Sequence, residues 1–210
     1  MFTEQQIDEL VQHAQAGDEQ ALSQLFNAYR SKLSRMIQLR MDPRLKARID
    51  EEDVLQDTYI ELTRRVRDYS RVHKLPFFLW LRMTAGEVLI ILYRKHVDAE
   101  MRSAKREVGI FHRVPNASTF FLASKLAGRF TSVDRNLIRE EVLQKLQNAL
   151  NRLDEEDREL LAMRHYEELT SEEIALVIGG DLTASGVRKR LTRALRKLRQ
   201  AFQSETDMKI

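Results

Sequence analysis

The sequence predicts an all-α chain: two small helical domains joined by a linker, the second carrying a helix-turn-helix. Three observations carry that reading. Only seven glycines and three prolines interrupt 210 residues, so the strongest helix breakers are scarce. Apolar residues recur at spacings of three and four, the helical period, through most of the chain. No segment alternates apolar and polar residues as a half-buried strand would.

The elements follow in order. Residues 4–15 read as a short helix. A longer one runs from Asp18 to about Gln38, with Asp18 as N-cap and Leu22, Leu25, Phe26, Tyr29 and Leu33 on one face. "MDPRLKARID" carries a proline and breaks the pattern. Asp53 to Asp68 forms the next helix, with Leu55, Tyr59, Leu62 and Val66 on one stripe. "YSRVHKLP" reads as a loop. Phe77 to His96 is apolar nearly all round, which predicts a helix buried or engaged on two sides.

Residues 99–133 lose periodicity and read as the linker, with a short helix near Phe120–Leu126. Four helices follow: Asn136–Arg152, Asp154–His165, Thr170–Val177 and Thr183–Phe202. Thr170 opens a capping box with Glu173 three residues on. The expected domains are therefore 1–98 and 134–210, with 99–133 between them.

Composition narrows the function classes. No run of about eighteen apolar residues exists, so no membrane insertion is expected. The start, "MFTEQQIDEL", lacks the basic-then-apolar pattern of a secretory signal. There is no cysteine, hence no disulfide and no thiolate chemistry, as suits a cytoplasmic protein. The five histidines, His13, His73, His96, His112 and His165, form no metal-spaced pair with one another. His96 with Glu100, and His165 with Glu168, have helical spacing but lack further ligands. No glycine loop suited to phosphates is present. We therefore expect no enzyme, cofactor or metal.

The net charge of +3 conceals a segregation. Asp154 to Asp181 holds ten acidic residues and two arginines, whereas Leu182 to Gln200 holds seven basic residues and no acid. Such patterning speaks of partners more than the net charge does. "TSEEIALVIGGDLTASGVRKRLTRALRKLRQ" reads as helix, glycine-containing turn, helix. On the second helix Val187, Leu191, Ala194 and Leu198 share one side. Ser185, Arg188, Lys189, Thr192 and Arg196 share the other. That is the layout of a recognition helix. Small residues at its start, Ala184, Ser185 and Gly186, would let the backbone approach a groove. Its arginines suit guanine edges or phosphates. A solvated basic face is the plainer account of the same pattern.

A second charge feature is "IDEEDVLQDTYIELTRR", where six carboxylates crowd one segment of a basic chain: Asp50, Glu51, Glu52, Asp53, Asp57 and Glu61. A helical wheel puts Asp53, Gln56, Asp57, Ile60 and Arg64 on the outward face. An aliphatic residue amid that face suits a protein interface. A solvated face with pairs such as Glu61–Arg65 is the alternative.

Together these residues carry a family resemblance. "LDEEDRELLAMRHYEELTSEEIALVIGGDLTASGVRKRLTRALRKLR" resembles region four, the promoter-binding domain of bacterial RNA polymerase sigma factors. "DEEDVLQDTYIEL" resembles the core-polymerase-binding helix of their region two. "FFLWLRMTAGEVLIILYRKH" resembles the helix that melts and reads the minus-ten element. The order and spacing resemble the extracytoplasmic function group, over about Asp18 to His96 and Asn136 to Phe202.

The resemblance implies core RNA polymerase and promoter DNA as partners, with an anti-sigma factor as a common third. It implies a protein monomeric when not in complex. It implies core-polymerase binding at Asp53, Gln56, Asp57 and Ile60. For the minus-ten element it implies Arg71, His73 and Lys74 on phosphates and Phe77 or Trp80 under a base; core packing accounts for Trp80 at least as well. For the upstream element it implies Thr183, Ala184, Ser185, Arg188, Lys189, Thr192, Arg193 and Arg196. Three departures stand out: Glu87 and Ile91 where the family commonly has asparagine and aspartate, a turn two residues longer at Gly180 and Asp181, and Gly186 in place of threonine. A regulator that uses the helix-turn-helix without acting as a sigma factor is the competing reading.

Overall fold

The computed structural model describes residues 2–69, 75–97, 118–130 and 136–207. Its regular structure, among those residues, is helical throughout. Contacts divide the chain into two compact units, Met1–Pro115 and Asn116–Ile210.

The first unit holds α1 (Glu4–Gln15), α2 (Glu19–Arg40), α3 (Pro43–Lys46), α4 (Glu51–Arg65), a 3₁₀ turn (Val66–Asp68) and α5 (Phe77–His96). Asp18 caps α2 as expected, its carboxylate accepting from the Gln20 and Ala21 amides. The proline segment does not stay irregular. Asp42 accepts from the Arg44 amide and Pro43 takes the first helical position, so one short turn forms. α4 packs on α2 and α5, α5 also packs on α2, and α1 covers α2 and the 3₁₀ turn. Leu25, Leu33, Met36 and Ile37 of α2, Leu62 of α4 and Leu79, Leu81 and Leu89 of α5 are closed to solvent. α5 is buried on most sides, as its nearly continuous apolar sequence predicts.

The second unit holds α6 (Thr119–Phe130), α7 (Asn136–Arg152), α8 (Glu155–His165), α9 (Ser171–Ile178) and α10 (Ala184–Asp207). α6 lies inside the stretch expected to be linker, and it is longer than the helix foreseen there. It packs on α7 and α8, so it is part of this unit's core. Leu122, Ala123, Leu126 and Ala127 form its buried stripe; burying each leucine stabilises by roughly 1.5–3 kcal/mol. α10 packs across α7, α8 and α9 through Val187, Leu191, Ala194 and Leu198, the four residues expected to share its inner side. Between α8 and α9, Glu168 adopts the left-handed region, at φ 61°.

Candidate functional site

The acidic segment resolves into distinct jobs. Asp50 is the N-cap of α4 and shares a capping box with Asp53: the Asp53 amide donates to Asp50 at 3.0 Å, and the Asp50 amide donates to the Asp53 carboxylate at 2.9 Å. Glu52 pairs with Arg30, and Glu51 accepts from Ser34 and Gln38, so both tie α4 to α2. Glu61 pairs with Arg65, as its spacing predicts, and with Arg64 at 3.5 Å. Arg65 continues to Glu87 of α5 at 2.6 Å. Among the described residues, no ion pair holds Asp57. It lies exposed beside Gln56 and Ile60, and Ile60 keeps 44% of its surface in solvent. Asp53 is exposed too, but its carboxylate is committed to the cap.

The start of α5 is aromatic and turned inward. Phe77 and Trp80 are only 4% and 5% exposed. Their rings lie 5.7 Å apart, and Tyr69 packs against both at 5.4 and 5.0 Å. Tyr29 stacks on Phe78 at 5.3 Å, and the Lys32 ammonium sits 4.9 Å from that ring's centre. The Tyr69 hydroxyl donates to the Leu75 carbonyl at 2.6 Å. Burial, with the Asp8 carboxylate and Tyr29 adding to it, pushes that phenol up to about 12. Core packing therefore accounts for Phe77 and Trp80 here, and neither ring offers a face to an incoming base. Arg71, His73 and Lys74 lie outside the described residues.

The helix-turn-helix is built from α9 and α10. The capping box at α9 is present, with the Glu173 amide donating to Thr170 at 3.1 Å and the Thr170 amide to Glu173 at 2.7 Å. α9 stops at Gly179, with φ 75° and ψ −165°, and Gly180 follows at φ 65°. The longer turn is thus one that needs two glycines, because side chains rarely adopt such backbone angles. The Thr183 hydroxyl accepts from the Gly186 amide at 3.1 Å and starts α10. A Cβ on Gly186 would meet Leu182 Cδ1 at 2.9 Å. The missing side chain at that position makes room for Leu182, a neighbour within the protein itself.

On the outer side of α10, Ser185, Arg188, Lys189, Thr192, Arg193 and Arg196 are exposed, Thr183 is exposed beside them and Ala184 is half-buried. The Thr192 hydroxyl donates to the Arg188 carbonyl at 3.0 Å. Two cations on this helix have partners on other helices. Lys197 holds Asp154, at 2.9 Å, and Asp157. Hydrogen bonding to Asp157 and Asp154 raises the Lys197 ammonium above its ordinary range, and the bond from Lys197 draws the Asp154 carboxyl below its own. Arg188 lies 3.5 Å from Glu172 of α9. Neither partnership is legible in α10 alone, but the acid-rich stretch before it was the available signal.

The arrangement can do two physical things. The exposed cations on α10 can neutralise phosphates and reach base edges in a major groove. The small face at Gln56, Asp57 and Ile60 can meet a protein surface that supplies a cation and apolar area. Among the described residues, no cluster of three potential ligands could hold a metal, and no helix is long and apolar enough to cross a membrane.

Comparison with known proteins is consistent with this geometry. Residues 143–198 match the family model for sigma-70, region 4, which takes in part of α7 and extends into α10. The RNA polymerase sigma-H factor of Pseudomonas aeruginosa is 25% identical over 207 residues, 97% of each chain. The solved structure of CnrH in complex with the cytosolic domain of CnrY has a similar fold, with a TM-score of 0.51 and 21% identity. It covers 93% of this chain and 96% of that one.

Proposed function

We propose that the chain is a bacterial RNA polymerase sigma factor of the extracytoplasmic function group that directs transcription initiation, its two units dividing the work; the region 4 match and the end-to-end likeness to a sigma-H factor support this reading. The first unit binds core RNA polymerase through Gln56, Asp57 and Ile60, with Asp53 holding the helix start beside them. Arg71, His73 and Lys74, between Tyr69 and α5 in sequence, meet the phosphates of the melted minus-ten strand. The second unit lays α10 in the major groove of the upstream element. The protein supplies binding energy and positioning, and the polymerase supplies the chemistry. As CnrH is solved with the cytosolic domain of CnrY, a dedicated partner protein that holds this chain in reserve is part of the reading.

The observation that carries it is the partition of α10. Val187, Leu191, Ala194 and Leu198 are consumed by packing, and the helix's basic residues are exposed, Lys197 being paired with Asp154 and Asp157. The test mixes the full chain with core polymerase and follows promoter-specific initiation in salt-controlled buffer. Complex formation with core and salt-sensitive initiation are expected. Replacing Arg188 and Lys189 with alanine lowers the salt slope of DNA binding by up to about 0.9 per lost phosphate contact. Failure to bind core would sink this division of roles. DNA binding without core binding would favour a helix-turn-helix regulator.

A further inference from the structure

We propose that Glu172 is a specificity-determining residue of the helix-turn-helix: it tethers Arg188 and discourages that arginine from resting on phosphate. This rests on the DNA reading of α10 given above. Glu172 is the second residue of α9. Its neighbours are otherwise occupied, since Ser171 is buried and Glu173 closes the capping box with Thr170. The Glu172 carboxylate instead reaches α10 and lies 3.5 Å from Arg188 Nη1, with the two side chains 68% and 60% exposed. From Ala184 to Gln200, α10 has no acid of its own. Glu172 therefore brings a negative charge to the edge of a face that is otherwise cationic.

The consequence follows from where Arg188 can go. An exposed ion pair holds weakly, so DNA can engage the guanidinium. On an arbitrary duplex the nearest acceptor is a phosphate, and reaching it sets the tethered carboxylate against the backbone charge. At a guanine edge Arg188 uses two parallel N–H groups and keeps others for Glu172. The carboxylate then lies over the groove rather than beside a phosphate. Glu172 lowers non-specific affinity more than specific affinity, which is discrimination by a repulsive element.

The test uses the full chain and a fluorescent pool of random-sequence duplexes. Anisotropy titrations at several salt concentrations give affinity and salt slope, and sequencing of the bound fraction gives enrichment. Glu172→Gln is expected to bind the pool more tightly, with a slope steeper by about 0.9. Its gain is then about 3.5-fold larger at ~50 mM than at ~200 mM salt. Its bound fraction is also less enriched in particular sequences. In an Arg188→Ala background the same substitution changes neither quantity. An E172Q slope and enrichment equal to wild type, while R188A lowers the slope, would overturn the tether and leave the DNA reading standing. A gain that persists without Arg188 overturns it too, as a general charge effect. E172Q and R188A slopes both equal to wild type, or no DNA binding by the wild type, overturn the DNA reading of Arg188 and this proposal with it.

Discussion

The Arg65 guanidinium joins two carboxylates, Glu61 one turn back on α4 and Glu87 on α5 at 2.6 Å. Position 87 is one of the departures from the family's common asparagine, and the structure supplies a reason for the acid: it fastens α4 to α5. The pair is partly exposed, at 42% and 32%. Glu87→Asn should therefore cost no more than about 1 kcal/mol. Thermal denaturation at low and high salt checks this. The difference from wild type should shrink as salt rises, and a salt-independent loss would point to packing instead.

Asp53 and Asp57 should separate under mutation. Asp57→Lys leaves every hydrogen bond of the capping box in place. It is expected to weaken binding to core polymerase while the melting temperature holds. Asp53→Ala removes the acceptor of the Asp50 amide, at a cost of about 0.5–2 kcal/mol of stability. Reversing both charges at once would mix the two effects. Equilibrium binding alongside melting curves decides it: equal loss of core affinity in both variants, with equal melting, would refute the division.

The two glycine sites should respond in opposite ways. Gly179→Ala has space around its new methyl but a strained backbone, so about 1–3 kcal/mol is expected to be lost. Gly186→Ala stands in a helix and meets only the end of the Leu182 side chain. Helix propensity favours alanine there by about 1 kcal/mol. Near-neutral or slightly raised stability is expected, read by chemical denaturation. A larger loss at 186 than at 179 would contradict the geometry.

Acid should release the contact between α8 and α10. The Asp154 carboxyl is held below its ordinary value of 3.8, chiefly by the bond from Lys197 and next by the Asp157 amide. A depressed carboxyl stabilises the folded state above the unfolded pKa, and that contribution fades as pH falls through the folded one. The raised Lys197 ammonium acts in the opposite sense: its share is present below 10.5 and fades as pH rises through its folded value. Asp154→Asn keeps an N-cap but loses the charge. Wild type should melt above this variant near pH 7, with the gap closing below about pH 4. A constant gap down to about pH 3 would mean that only the cap matters.

The features legible from the residues alone are local ones. Asp18 and Thr170 were readable as caps because their partners lie within three residues. The buried stripe of α10 was readable because helical periodicity alone decides which residues share a face. The longer turn was visible as a departure at Gly180 and Asp181, and the positive φ angles of Gly179 and Gly180 show how its backbone is made. Tertiary structure decided which of those residues retain an outward role. The wheel set Asp53 and Asp57 on the outward face of α4, but only Arg30, Ser34 and Gln38 show what occupies Glu52 and Glu51. Trp80 and Phe77 could face a base or a core until Tyr69 closed on them. α6 was foreseen only as a short helix inside a linker that loses periodicity, and its packing on α7 and α8 makes it core. Each of these outcomes depends on a partner far away in the chain. Periodicity cannot report such partners, since it records which face a residue occupies and not what arrives to cover it.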